Sequence, residues 1–130
     1  MKVIKTALIA LIFIILNGLV GYAQKSLPVL TNLSEIDNSI TGINNYWLEM
    51  GSDTFGKPIL IPVVVLQGLT LGPTLGLTAA IHGNELNGIA IIHKLVETID
   101  VKLLKGRIIA IPGLNAVSIA LDQRRFVDDE

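Results

Sequence analysis

A histidine and a glutamate three residues apart, His82 and Glu85, are the side chains of this sequence best suited to metal chemistry. They lie in "LTAAIHGNELNG", where an apolar run that begins at Leu77 ends abruptly in polar residues. An imidazole nitrogen and a carboxylate oxygen both bind Zn²⁺ at about 2 Å. The spacing brings the two side chains to one side of a turn, and Gly83 lets the chain turn tightly. Alone, however, His-x-x-Glu is also compatible with an ordinary strand-to-helix turn.

A catalytic zinc site usually takes three protein ligands, and the other histidine of the chain cannot be the third. His93 lies eight residues beyond Glu85 on the same predicted helix, which is roughly 12 Å along the helix axis. Ligands of one ion must lie within about 3–4 Å of each other, given bonds near 2 Å. His93 is therefore interpreted as a histidine of the helix surface or its border.

Two strands and a helix are predicted to position these residues. Residues 75–81 form a near-continuous apolar run, which is typical of a central strand covered on both faces. Residues 107–111 form a second buried strand. Between them, residues 85–99 place apolar side chains on one face of an amphipathic helix, namely Ile89, Ile92, Val96 and Ile99. This order predicts a βαβ unit with parallel strands and a right-handed crossover.

The polar residues follow the ends of the two predicted strands. His82, Asn84 and Glu85 come after the first strand, and Asn115 comes just after the second. In an open α/β sheet, ligands bind beyond the carboxyl ends of the strands. The sequence therefore favours a site at this edge, although Asn115 could equally end its strand as a turn former.

The region before the βαβ unit predicts a β-hairpin and a loop. Residues 46–50 and 59–66 are strand-like and flank the turn-forming "GSDTFGK". Pro58 and Pro62 lack a backbone donor, which places the second strand near an edge or delays its start. "GLTLGPTLG", residues 68–76, is interpreted as a loop punctuated by glycine and proline. It lacks the Gly-Lys-Ser/Thr ending of a phosphate-binding loop.

The N-terminal residues predict export. Lys2 and Lys5 precede a charge-free stretch whose densest apolar part is residues 7–16, and Gly21 and Ala23 are small residues before Gln24. This pattern predicts a signal peptide over residues 1–23, and a periplasmic or secreted protein. An uncleaved membrane anchor is the rival interpretation, but it needs roughly 20 apolar residues. Membrane contact is then expected only during export.

Composition bounds the remaining possibilities. The chain has 130 residues, which suits one domain, with 10 basic and 11 acidic residues and no basic tract. Nucleic acid is therefore not an expected partner. The absence of cysteine excludes disulfides, cysteine zinc ligands and a thiol nucleophile. Residues 24–45 are polar and turn-rich and are predicted to be an irregular lead-in segment, followed by a catalytic domain over residues 46–130.

Three segments in order carry a resemblance to a known family: "AAIHGNELNGIAIIHKL", "GRIIAIPGLNAVSIA" and "RRFVDD". From roughly residue 47 to the last residue, the sequence resembles the succinylglutamate desuccinylase/aspartoacylase family of the zinc carboxypeptidase superfamily. The resemblance implies an α/β fold: the N-terminal part of a zinc-carboxypeptidase-like mixed sheet with flanking helices, opened by a β-hairpin.

The resemblance also implies roles for five residues. His82 and Glu85 would be the first two ligands of one zinc ion, and Asn115 would bind substrate. Arg125 would polarise the scissile carbonyl and stabilise its oxyanion. Arg124 would bind substrate, and it is also the alternative for the role of Arg125 if the alignment with the family shifts by one residue. Without the resemblance, the two arginines before an acidic stretch would be interpreted as a solvated charged terminus.

The family pattern continues with an Asp-Leu-Asn-Arg motif, a third histidine ligand and a glutamate general base, and none of these is in the sequence. The chain is therefore expected to be a truncated zinc hydrolase. The family implies cleavage of an amide, or an ester, in a small N-acyl amino acid or peptide-like substrate. The rival interpretations are a non-catalytic remnant and an exported binding module.

Overall fold

A computed structural model describes residues 26–125, which form a five-stranded mixed sheet with two α-helices. The predicted signal peptide, residues 1–23, and residues 126–130 lie outside this range. The strands are β1 (Val29–Leu30), β2 (Gly42–Ser52), β3 (Pro58–Gln67), β4 (Thr70–Thr78) and β5 (Lys105–Ile111); the helices are α1 (Asn87–Thr98) and α2 (Ala116–Ala120), with a 3-10 turn at Leu33–Glu35. The sheet order is β1-β2-β3-β5-β4, and the sheet is open. The predicted α/β class is thereby confirmed.

The predicted hairpin is confirmed and is longer than the sequence pattern indicated. β2 and β3 pair antiparallel from Gly42 opposite Gln67 to Ser52 opposite Pro58, with a register shift between Glu49 and Gly51. The Asp53 carboxylate holds the connection because it accepts hydrogen bonds from the backbone N–H groups of Phe55 and Lys57, each at 2.9 Å. An aspartate that binds the backbone beyond it is a common means of fixing a tight turn.

Among the described residues, the part of β3 that contains Pro62 has a neighbouring strand on one side only. β5 pairs with β3 over Val64–Gln67, so the start of β3 pairs with β2 alone. Trp47 lies opposite Pro62 and donates its backbone N–H to the carbonyl of Pro28, next to β1. This N–H therefore points away from β3. In an antiparallel pair, opposite residues either both direct their N–H groups toward each other or both direct them away. The nitrogen of Pro62 therefore points away from β2, and its missing donor removes no hydrogen bond between β2 and β3.

The predicted loop over residues 68–76 is wrong, because most of it is β4. β4 runs parallel to β5 and pairs with it from Thr74 to Thr78, after an irregularity between Thr70 and Thr74. Glycine serves close strand approach here, because a Cβ on Gly72 would lie 2.7 Å from the backbone nitrogen of Gly106. The glycine and proline residues that predict a loop therefore belong to a bulged strand that packs closely against its neighbour.

β4 also differs from the predicted central strand covered on both faces. It forms the edge of the sheet within residues 26–125, and its residues are almost all exposed. Burial begins just after it, at Ala79 and Ala80. The apolar run was assigned correctly to a strand, but the lateral position of a strand depends on its partners, which a single run of residues does not specify.

The core has two parts, one on each face of the sheet. β3 supplies both, since Val63 and Val65 face one cluster and Val64 faces the other. The first cluster includes Leu30 and Ile36 from the lead-in segment. In the second, the predicted face of α1 packs Ile89, Ile92 and Val96 against Ala79 and Ala110. None of the helices described is long and apolar enough to cross a membrane.

Candidate metal centre

The carboxyl ends of β4 and β5 lie side by side, with Thr78 opposite Ile111. The two backbone segments stay paired beyond the strands. Leu114 donates its N–H to the carbonyl of Ala79 at 3.0 Å, and Asn115 donates its N–H to the carbonyl of Ala80 at 3.1 Å. The residues that follow β4 and β5 are thus held at one edge of the sheet, as the strand order required.

Asn115 fixes both this edge and the start of α2. Its side-chain oxygen accepts the N–H of Ser118 at 3.2 Å, which makes Asn115 the N-cap of the helix. Its Nδ2 donates to the carbonyl of Ile81, the residue before His82, at 3.1 Å. These bonds give Asn115 a structural task, and its contact with substrate stays a prediction.

Gly83 allows the His82–Glu85 turn to approach α2 at very short range. A Cβ on Gly83 would lie 2.2 Å from the carbonyl carbon of Ser118 and 2.5 Å from the carbonyl oxygen of Gln123. Gly83 lies in the predicted turn, which Glu85 closes by donating its N–H to the carbonyl of His82 at 3.1 Å, although the φ of Gly83 is not in the left-handed region. The glycine is needed because two backbone segments occupy the space of a side chain.

The side chains of His82, Glu85 and Arg124 form one connected group. His82 Nδ1 lies 3.0 Å from Glu85 Oε2, and Arg124 Nη1 donates to Glu85 Oε1 at 2.5 Å. All three are partly open to solvent, with side-chain exposures of 38%, 53% and 55% respectively. Both oxygens of the glutamate are therefore engaged at a position that solvent and a ligand can reach.

The two contacts of Glu85 lower the pKa of its carboxyl group from the ordinary glutamate value. The hydrogen bond with His82 is the larger cause, and the hydrogen bond from Arg124 is the second. Both stabilise the ionised form, which is the form that binds a cation.

Arg124 and Arg125 are placed differently by the segment that follows α2. Arg124 accepts the N–H of Gly83 on its backbone carbonyl at 3.3 Å, and its side chain reaches Glu85. The carbonyl of Arg125 accepts the hydroxyl of the fully buried Ser118 at 2.7 Å, and the residue is exposed. Of the two arginines, Arg124, the alternative in register, is the one whose side chain contacts the His82–Glu85 pair.

A cavity of about 560 Å³ opens beside the pair. Glu85 and Asn84 line it together with Ile81, Leu86 and the backbone that follows β4. His93 is exposed on α1, as the spacing argument predicted.

The His82–Glu85 pair fits as part of a zinc site. Two ligands of one tetrahedral zinc stand roughly 3.3 Å apart, given bonds near 2 Å. The observed 3.0 Å between Nδ1 and Oε2 is close to that separation, and the nitrogen and oxygen donors suit the ion. Among residues 26–125, no group of three or more histidine, cysteine, aspartate or glutamate side chains lies together. Within the described residues, the pair thus offers two candidate ligands.

Sequence reasoning missed two residues of this site, Ser118 and Ala80. Ser118 is completely buried, and its hydroxyl and carbonyl hold residues 123–125 against α2. The spacing Asn115-x-x-Ser118 of a capped helix was the available signal. Ala80 adopts a φ of 55°, which is strained for a residue with a Cβ. No sequence signal announces it, because alanine gives no hint of a left-handed conformation.

The fold and the site together define an α/β protein with its polar centre beyond the carboxyl ends of two parallel strands. Residues 71–130 match the succinylglutamate desuccinylase/aspartoacylase catalytic domain, a family of hydrolases, and solved structures of that family share the fold. The resemblance found in the sequence is thereby confirmed.

Three solved structures illustrate the similarity. An aspartoacylase family protein from Mesorhizobium loti is 26% identical with a TM-score of 0.63, and a succinylglutamate desuccinylase/aspartoacylase from Rhodobacter sphaeroides is 28% identical with a TM-score of 0.62. The product-bound ectoine utilization protein EutE (DoeB) from Ruegeria pomeroyi is also 28% identical, with a TM-score of 0.62.

Each of these three matches covers 73% of this chain and 30% of the other chain. The chain therefore spans about a third of the length of these relatives. A comparison with curated proteins gave no match.

Proposed function

We propose that this chain forms part of a zinc-dependent hydrolase that cleaves an amide, or an ester, in a small N-acyl amino acid or peptide-like substrate. The observation that supports this most directly is the His82–Glu85 pair, with donor atoms 3.0 Å apart at the sheet edge where the family match lies. Bound there, zinc would activate a water molecule and polarise the substrate carbonyl.

The residues of the chain have separate tasks in this proposal. His82 and Glu85 hold the ion, and the lowered pKa of Glu85 keeps its carboxylate ionised to a lower pH than that of an ordinary glutamate. Asn115 donates a hydrogen bond to the carbonyl of Ile81 and so fixes the position of the backbone just before His82. An arginine, Arg124 or Arg125, offers the positive charge that an oxyanion or a substrate carboxylate requires. The product-bound state of the Ruegeria pomeroyi neighbour is consistent with a small-molecule substrate.

Zinc content and amidase activity test the proposal on the intact protein. We expect one zinc per chain and hydrolysis of an N-acyl amino acid, with both lost in His82→Ala. His93→Ala is the matched control, since it removes the other histidine from an exposed position on α1. Well-folded protein without zinc would contradict the proposal. Zinc retained in His82→Ala would contradict the assigned ligand.

A non-catalytic binding module is the second candidate, and the cavity of about 560 Å³ beside Glu85 is the observation that favours it. Such a module would bind an acyl amino acid without consuming it. Calorimetric binding of the compound with no product released over hours would favour this function over the hydrolase.

Export to the periplasm or beyond the cell is part of the proposal and depends on the pattern of residues 1–23. Mass spectrometry of the protein from its host should find an N-terminus at Gln24. An intact N-terminus in a membrane fraction would instead support the anchor interpretation.

A further inference from the structure

The contact between Arg124 and Glu85 has a consequence for how a metal and an anionic ligand bind. We propose that Arg124 exchanges partners, holding Glu85 in the ligand-free chain and an anionic group of the substrate in the loaded one. Metal and anion would therefore bind cooperatively. The inference rests on the proposed function, because it takes His82 and Glu85 as metal ligands.

The backbone of Arg124 is held in place while its side chain remains accessible. Its carbonyl accepts the N–H of Gly83 at 3.3 Å, and Ser118 binds the residues on either side, Gln123 and Arg125, at 2.9 and 2.7 Å. The side chain as a whole is nevertheless more than half exposed. A fixed backbone with an exposed, flexible side chain can change its partner without any rearrangement of the fold.

The two states of Arg124 exclude each other at the Glu85 carboxylate. With Arg124 on Oε1 and His82 on Oε2, both oxygens have partners before any cation arrives. The guanidinium also places a positive charge beside the position of a divalent cation, which repels the ion. An anion that takes up Arg124 removes the competition and neutralises the repulsion.

Glu85, whose carboxylate Arg124 contacts, also lines a cavity that offers room for a small molecule. The cavity holds about 560 Å³ and includes Glu85 and Asn84 in its lining, so a small anionic molecule can enter next to the carboxylate. Arginine suits this task because its planar fork binds carboxylate groups in two-point contacts, whichever molecule supplies them. By linkage, the factor by which the anion raises metal affinity equals the factor by which the metal raises anion affinity.

Zinc affinity measured with and without an anion tests the exchange in the intact protein. The dissociation constant is obtained by competition with a chromophoric chelator, in sulfate and in chloride at equal ionic strength. Exposed ion pairs of this kind change equilibria by about two- to fivefold. We expect sulfate to tighten zinc binding to the unmodified protein by that factor. In Arg124→Gln, zinc should bind tighter than to the unmodified protein in chloride, with no response to sulfate.

Two further variants separate the exchange from other roles of arginine. Arg124→Lys keeps the charge and should retain part of the sulfate effect. Arg125→Gln removes the same charge one residue away and should leave the effect intact. Circular dichroism of each variant verifies that its fold is unchanged.

Three results would overturn the exchange. Weaker zinc binding in Arg124→Gln would show that Arg124 supports the ligand rather than competing for it. A sulfate effect that persists in Arg124→Gln would also refute the exchange, and its loss in Arg125→Gln alone would assign it to Arg125. Absence of zinc binding in the unmodified protein would refute the proposed function itself, and the exchange with it.

Discussion

The side chain of Asn115 donates from Nδ2 to the carbonyl oxygen of Ile81 at 3.1 Å, and so links the turn after β5 to the residue that precedes His82. Two segments 34 residues apart in sequence are thereby joined at one edge of the sheet. The same asparagine caps α2, from which Ser118 holds the segment that carries Arg124. The His82–Glu85 turn and the arginine are thus positioned by one small hydrogen-bonded unit.

Loss of the Glu85 carboxylate should weaken zinc binding strongly. Glu85→Gln keeps the shape of the side chain but removes the charge, and one of two observed donor atoms is lost as a strong ligand. We expect the zinc dissociation constant to rise by more than the roughly 10–100-fold that follows loss of a supporting partner. Chelator competition measures it, and Glu97→Gln, in an exposed ion pair on α1, is the control. A change of less than tenfold would argue against Glu85 as a ligand.

The carboxyl group of Glu85 should titrate below the ordinary glutamate range in the metal-free protein. Because its pKa is lowered on folding, its contacts stabilise the fold above the pKa of the unfolded chain, and this contribution is lost as pH falls through the folded-state pKa. Carbon-13 NMR of the side-chain carboxyl follows the titration directly.

The same NMR titration ranks the two partners of Glu85. His82→Ala should return the pKa further toward the ordinary value than Arg124→Gln does, because the hydrogen bond with His82 is the larger cause. An unchanged Glu85 pKa in both variants would mean that the observed contacts are not populated in solution.

Gly83→Ala should destabilise the protein, because its new methyl group would enter the backbone of Ser118 and Gln123. Overpacking of this kind costs about 1–3 kcal/mol, and the displaced α2 should also disturb Arg124. Gly76→Ala is the matched control, since a Cβ there meets nothing within 4 Å. Denaturant unfolding of the two variants provides the comparison. Equal stability would show that the turn and α2 are further apart than the structure places them.

Ser118→Ala should loosen the segment that carries the two arginines. The Ser118 hydroxyl is buried and donates to the carbonyl of Arg125 at 2.7 Å, and loss of such a hydrogen bond costs about 0.5–1.5 kcal/mol. Hydrogen exchange at the amide of Gly83, which donates to Arg124, should accelerate relative to amides of β3. Ser34→Ala, in the exposed 3-10 turn, should change neither measurement.

Several features of this chain were determined by sequence alone because they depend on local chemistry. Alternating and periodic apolar residues predicted the hairpin, α1 and β5. The His-x-x-Glu spacing identified a pair of possible ligands, and the structure places their donor atoms 3.0 Å apart. The ordered motifs indicated the family, which the match over residues 71–130 confirms.

Only the tertiary structure decided the features that depend on distant neighbours. It made "GLTLGPTLG" a bulged edge strand, because glycine there permits contact with Gly106. It also showed that Gly83 is needed for the approach of α2, and that Arg124, 39 residues away, is the partner of Glu85. A residue's type and its near neighbours determine what it can bond to and which local shapes it favours. Which groups it meets is decided by the packing of segments that lie far apart in the chain.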